Sequence, residues 1–139
     1  MWAETISRAN QRQYWNQIVD LYLDSPLGQS CDPVILNQYI REPMRHAQMR
    51  VYGEPDQILG VATWACLSKI EAQRYEISQE VHHWNCGDHI YVIDVIAKGL
   101  NMFKVIRELR NYGFERYNQR HFVWFRQDYV QDQSRKGWC

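Results

Sequence analysis

Gly87-Asp88-His89-Ile90-Tyr91-Val92-Ile93-Asp94-Val95-Ile96-Ala97 is an apolar run with one carboxylate near its centre. Its β-branched and aromatic residues, opened by Asn85-Cys86-Gly87 and closed by Lys98-Gly99, predict a buried strand. Asp94 is the anomaly. An ionised carboxylate among aliphatic side chains loses hydration that they cannot replace, so it must be paired, hydrogen-bonded or kept for chemistry. Two readings follow from the strand alone: an Asp bonded to loop amides or to one of the twelve arginines, or an Asp reserved for a site.

Outward from this strand, the 139 residues are most economically one domain over residues 1–130, with a polar, loose tail over 131–139. A hydrophobic content of 45% and an aromatic content of 14% exclude a disordered chain. The formal charge of zero argues against general binding to a phosphate backbone, so no nucleic-acid partner is expected. The preponderance of Arg over Lys suits fixed, bidentate contacts with carboxylate or phosphate. Met1-Trp2-Ala3-Glu4-Thr5 lacks the basic segment and apolar core of a secretory signal, and no apolar stretch is long enough to cross a membrane. Cys31, Cys66, Cys86 and Cys139 show no close paired spacing, which favours free thiols in a reducing cytoplasm.

In chain order, Ile6, Tyr14, Trp15, Ile18, Val19 and Tyr22 fall at helical spacings and predict an amphipathic helix from about Glu4 to Leu23. Asp24-Ser25-Pro26 stops it, and Gly28 permits a tight turn. Asp32-Pro33 is a strong helix start, predicting a helix from Val34 to about Arg41 that ends before Pro43. Alternation from Ala47 to Tyr52, a turn at Gly53-Glu54-Pro55-Asp56 and an apolar return from Gln57 to Leu67 predict a β-hairpin. Ser68-Lys69-Ile70-Glu71 matches a capping box for a helix from Lys69 towards Gln79. After the Asp94 strand, Asn101 caps a helix with Phe103, Ile106 and Leu109 on one face and Tyr112-Gly113 near its end. His121-Phe122-Val123-Trp124-Phe125 predicts a last core strand. The order suggests an α+β or α/β-like sheet with helices packed on it.

Several of these stretches, in order from Ile18 to Asp128, together resemble the RTX toxin-activating lysine acyltransferases. They are Asp24-Ser25-Pro26-Leu27, Ala62-Thr63-Trp64-Ala65-Cys66-Leu67-Ser68, Gly87-Asp88 leading into Ile93-Asp94-Val95-Ile96-Ala97, and Phe125-Arg126-Gln127-Asp128. The resemblance implies a GNAT-like fold with a central, mostly antiparallel sheet and flanking helices, commonly dimeric. It implies a cytoplasmic protein that takes a fatty acyl group from acyl carrier protein and passes it to a lysine of a protein target, with no tightly bound cofactor. In that family a histidine directly after Ser-Pro-Leu and an aspartate in the later strand form the essential pair. Asp94 matches the aspartate and Ser25 matches a serine near the site, while Trp64 and Arg126 carry the implied substrate contacts. The histidine position is Gly28.

That departure bears on mechanism. Attack by lysine on a thioester requires a neutral amine, and an imidazole suits the removal of its proton. Glycine supplies none, although Asp94 can stabilise an approaching ammonium and amides around Ser25 to Gly28 can polarise a thioester carbonyl. Cys31 has no adjacent histidine to activate it, and His46 and His121 sit at predicted strand starts, where backbone-bonded imidazoles are common. His82, His83, Cys86 and His89 are metal-ligating types without a standard ligand spacing, so no metal is expected. No Gly-rich phosphate loop precedes a helix. Arg107, Arg110 and Arg116 either meet an acidic carrier protein or form a solvated helix face. Besides an acyltransferase, the sequence admits an inactive descendant that binds a protein or an acylated carrier, and an unrelated α+β binding domain.

Overall fold

The strand that carries Asp94 forms β4, His89–Ala97, in a computed structural model that describes residues 1–118, 120, 122 and 123. The other elements are β1 (Trp2–Ile6), α1 (Gln11–Asp24), α2 (Pro26–Ser30), α3 (Pro33–Arg45), β2 (Met49–Glu54), β3 (Gln57–Leu67), α4 (Lys69–Ser78) and α5 (Met102–Arg116). The strands make one sheet in the order β1-β2-β3-β4, antiparallel at each pairing, with helices on both faces. This is the expected α+β architecture. Val123 adds an isolated parallel bridge to Tyr91 outside β4. Among the described residues no helix is long and apolar enough to cross a membrane.

Alternation along the strands builds two cores. Met49, Val51, Val61, Ala65, Leu67, Tyr91 and Ile93 pack with Ile18 and Tyr22 of α1, Leu36, Ile40 and Met44 of α3, and Tyr75 of α4. Tyr52, Ala62, Trp64, Ile90, Val92 and Val95 point the other way and pack with Val105 and Leu109 of α5 and with Phe122. The predicted hairpin forms, and of the capping box the N-cap half forms, Ser68 Oγ accepting a hydrogen bond from the Glu71 N–H at 3.2 Å while the Ser68 N–H donates to Cys86 Sγ at 3.3 Å and the Glu71 carboxylate pairs with Arg74.

Four local expectations are corrected. The first three residues of the predicted N-terminal helix, Glu4 to Ile6, belong to β1, where Ile6 is buried and pairs with Met49, and the helix starts only at Gln11. Trp2, Glu4 and Ile6 read equally well at period two, and the free edge of β2 supplies the hydrogen bonds that decide it. The turn at Gly28 is instead the short helix α2, capped by Ser25. α3 continues through Pro43 to Arg45. A proline removes one N–H, and this one lies in the last turn, where its buried ring contributes to packing. α5 likewise runs past Gly113 to Arg116, burying Val105, Leu109 and Gly113 at spacings of four, while Phe103 is 78% exposed. Gly113 is there because a Cβ would lie 2.0 Å from the Phe122 ring. Of the predicted last strand, Phe122 and Val123 are described; His121, Trp124, Phe125 and the tail lie outside the described residues.

Candidate active site

Asp94 owes its direction to an irregularity in its strand. Thr63 pairs with Asp94 and the next residue, Trp64, pairs with Val92, so Ile93 is an extra residue in β4, a β-bulge. Ile93 and Asp94 therefore both turn towards α1 and α3, where regular alternation would have sent one of them to α5. Asp94 is 5% exposed. Its Oδ2 accepts hydrogen bonds from the Tyr39 hydroxyl of α3 and, at 3.4 Å, from the Tyr22 hydroxyl of α1. Its N–H donates to Thr63 Oγ1 at 3.2 Å. Tyr39 is itself fixed edge-on between Tyr22 and Trp84, with ring centroids 6.3 and 5.7 Å away.

Tyr22 also holds Ser25, at its other end. The Tyr22 carbonyl accepts from the Ser25 N–H at 3.1 Å and from the Ser25 hydroxyl at 2.5 Å. Ser25 Oγ in turn accepts from the Gly28 N–H at 3.3 Å, as an N-cap does. Pro26 has no N–H and the Gln29 N–H is taken by the Ser25 carbonyl, so this turn offers an incoming carbonyl oxygen only the Leu27 N–H, fewer donors than the sequence suggested. Gly28 packs backbone to backbone on α1: a Cβ there would lie 1.9 Å from the Tyr22 oxygen and 2.8 Å from the Leu23 Cα. As placed, Gly28 leaves no room for a side chain.

A groove of about 470 Å³ runs beside this arrangement, walled by Leu21, Asp24, Ser25 and Pro26 on one side and by Val95 to Lys98 with Met102 on the other. Ser25 lines it; Asp94 lies one residue behind Val95 and does not. Lys98 Nζ and Asp24 Oδ2, both exposed, form an ion pair at 2.7 Å that joins the two walls. The lining is mainly aliphatic with a polar rim, which suits an extended apolar chain carrying a polar end.

The remaining predicted residues fall elsewhere. Trp64 is fully buried in the core under α5, its Nε1–H donating to the Tyr117 hydroxyl at 2.6 Å, and does not meet Ser25 or Asp94. Arg126 and His121 lie outside the described residues. His46 ends α3 beside Glu42, 4.0 Å away. Cys66 and Cys86 are free thiols, as expected. Burial pushes the Cys66 thiol up, away from the reactive thiolate. His82 faces Glu80 and His89 faces Asp88, and among the described residues no three His, Cys, Asp or Glu side chains converge as metal ligands do. Arg116 lies over the Trp64 and Tyr117 rings and donates to the Ala47 carbonyl.

The residues that sequence reasoning missed are Tyr22 and Tyr39. Tyr22 was legible only as part of an apolar helix face, yet a buried tyrosine must place its hydroxyl, and a buried carboxylate must find donors. That pair of demands is the signal. No individually curated protein matches the chain. The model of the RTX toxin acyltransferase family matches residues 7–136, and with nearly its whole length covered the chain belongs to that family.

Proposed function

We propose that the protein accepts a fatty acyl group from acyl carrier protein and transfers it to a lysine of a protein target, at the junction of the Ser25 turn and β4, working in the cytoplasm as a homodimer without a tightly bound cofactor. The observation that carries the reading is the bulge at Ile93, which re-aims Asp94 towards the helices that also present Ser25. Bulges beside active sites serve this purpose. The aliphatic groove fits an acyl chain. Asp94 attracts the lysine ammonium, exchanging the hydroxyls of Tyr39 and Tyr22 for it, and takes its first proton to free the nitrogen lone pair; the second proton, lost as the C–N bond forms and the C–S bond breaks, leaves with the carrier thiolate as its thiol. A carboxylate is a weaker base than imidazole at neutral pH, so this transfer is slow relative to a member with the histidine.

Gly28 favours a second reading, an acyl-carrier-binding or protein-binding descendant without turnover, because its backbone contact with Tyr22 excludes a base at that position. One experiment separates the two. The purified chain is incubated with palmitoyl-loaded acyl carrier protein and a lysine-bearing target, and the target is read by mass spectrometry. Slow acylation that Asp94→Asn lowers by about a hundredfold, within the usual worth of an acid–base group, supports transfer. Carrier binding without acylation selects the carrier-binding form of the second reading, and no carrier binding overturns both transfer and carrier binding, leaving only its protein-binding form.

A further inference from the structure

At the end of α1 opposite Ser25, two pairs of arginines face one another. Arg8 comes from the turn before α1 and Arg12 from its first turn, and Arg41 and Arg45 come from the last turns of α3; with Gln11 they line adjoining hollows of about 400 and 150 Å³ that share Gln11 and Arg41. All four arginines are exposed. Arg41 lies over the Trp15 ring at 4.7 Å, and Arg45 pairs with Glu42 at 3.0 Å. Arg8 and Arg12 form no ion pair with a described residue. The first turn of α1 carries no acidic side chain, so its N–H groups add to the positive potential. In a chain with zero formal charge, four arginines from two elements around one concavity make a local field rather than a generally basic protein.

We propose that this surface docks the acidic helix face of an acyl carrier protein, an inference that rests on the donor proposed above. Opposed arginine pairs across a shallow hollow match a helix bearing carboxylates on successive turns, each guanidinium being able to take a carboxylate as a fork. A flat membrane would meet only the rims of such a hollow. The spacing also fits. α1 runs from Gln11 at this surface to Asp24 at the groove, about 20 Å at 1.5 Å per residue, and an extended phosphopantetheine arm spans a gap of that order. The carrier body sits on the arginines, and its thioester reaches the Ser25 groove along α1.

The test is a titration of the full chain with palmitoyl-loaded acyl carrier protein, comparing wild type, Arg8→Glu with Arg12→Glu, Arg41→Glu, and Arg107→Glu as an exposed control on α5. Circular dichroism and unfolding midpoints establish that each variant is folded. We expect wild-type binding to weaken steeply with salt, the first two variants to bind about tenfold or more weakly, and Arg107→Glu to bind as wild type. If wild type binds the carrier and the reversals at Arg8, Arg12 and Arg41 change nothing, or if Arg107→Glu weakens binding as much, the docking surface is wrong while the donor reading stands. If wild type does not bind the carrier at any salt concentration, the donor reading fails and takes this one with it. Should a variant misfold, salt-independent wild-type binding would still overturn the proposal. Binding to phosphatidylglycerol vesicles that the reversals abolish, with carrier binding unchanged, assigns the patch to a lipid surface and also overturns it.

Discussion

Asp94 and Glu108 are carboxylates on opposite faces of one sheet, and different chemistry holds each. Both oxygens of Glu108 are taken by Arg50, from Nε at 2.7 Å and Nη2 at 2.6 Å. Arg50 also donates to Thr5 Oγ1 at 2.9 Å and lies over the Tyr112 ring at 4.1 Å. This fork ties β1, β2 and α5 together, and its charge is neutralised where it stands. Asp94 is instead met by the hydroxyls of Tyr39 and Tyr22, neutral groups that rotate. Arg50 clamps one carboxylate between β2 and α5; the hydroxyls at the other come from α1 and α3. On the proposed function, the α5 face carries architecture and the face of α1 and α3 carries the chemistry.

The largest effect that would sharpen this contrast is at Gly28. Gly28→Ala forces a methyl group into the Tyr22 carbonyl, so urea denaturation should show a loss on the order of 3 kcal/mol, the upper range for overpacking. Gly28→His should fare no better and should not gain acyl transfer. A stable, active histidine variant would mean that α2 moves freely and that the closed packing is not a property of the site.

Next is Glu108→Ala, which strands the partly buried Arg50 and should cost roughly 2 kcal/mol, less than a fully buried pair because Glu108 is partly solvated. Carrier binding should be unchanged. Asp94→Asn keeps the shape and should cost only about 1 kcal/mol, the scale of one hydrogen bond, while acyl transfer falls by about a hundredfold. Equal stability costs together with retained transfer in Asp94→Asn would break the contrast.

The smallest effect concerns Tyr52, beside the Arg50 pair, whose buried hydroxyl has no hydrogen-bond partner among the described residues. Tyr52→Phe should be neutral or stabilise by up to about 1 kcal/mol, because it deletes an unsatisfied buried polar atom. Burial raises the Tyr52 pKa, with the nearby Glu108 carboxylate adding to it. The folded state therefore favours the neutral phenol: its contribution is fully present below the ordinary tyrosine value near pH ~10 and is lost above it, where the unfolded chain ionises first. Urea midpoints between about pH 9 and 11 should fall less steeply in Tyr52→Phe than in wild type. Equal slopes would show that the phenol is not so enclosed.

Much of the fold was legible because its signals are local. Alternation gave the hairpin, Ser68 and Asn101 announced their helices, and the Asp94 run announced β4. β1 was missed because five residues satisfy a helical and an extended pattern alike, and only the neighbouring edge of β2 decides between them. Pro43 and Gly113 misplaced two helix ends because packing, not propensity, kept those helices going. At the site, Asp94 and Ser25 were visible as anomalies of chemistry. Tyr22 and Tyr39 were not, since nothing in a helix pattern says where a phenol hydroxyl ends. The bulge has no sequence signature at all: it is a property of the pairing between β3 and β4.

That bulge has a consequence for how β4 tolerates change. Striking out Ile93 would leave Tyr91, Val92, Asp94, Val95 and Ile96 in strict alternation, with every neighbour still on its present side of the sheet. Most single-residue deletions in a core strand invert everything that follows; this one would not. Ile93 is thus an added residue in an otherwise regular strand, and what it contributes is the local bend and the packing of its own buried side chain. A one-codon deletion at this point would cost that packing without turning the rest of the strand over.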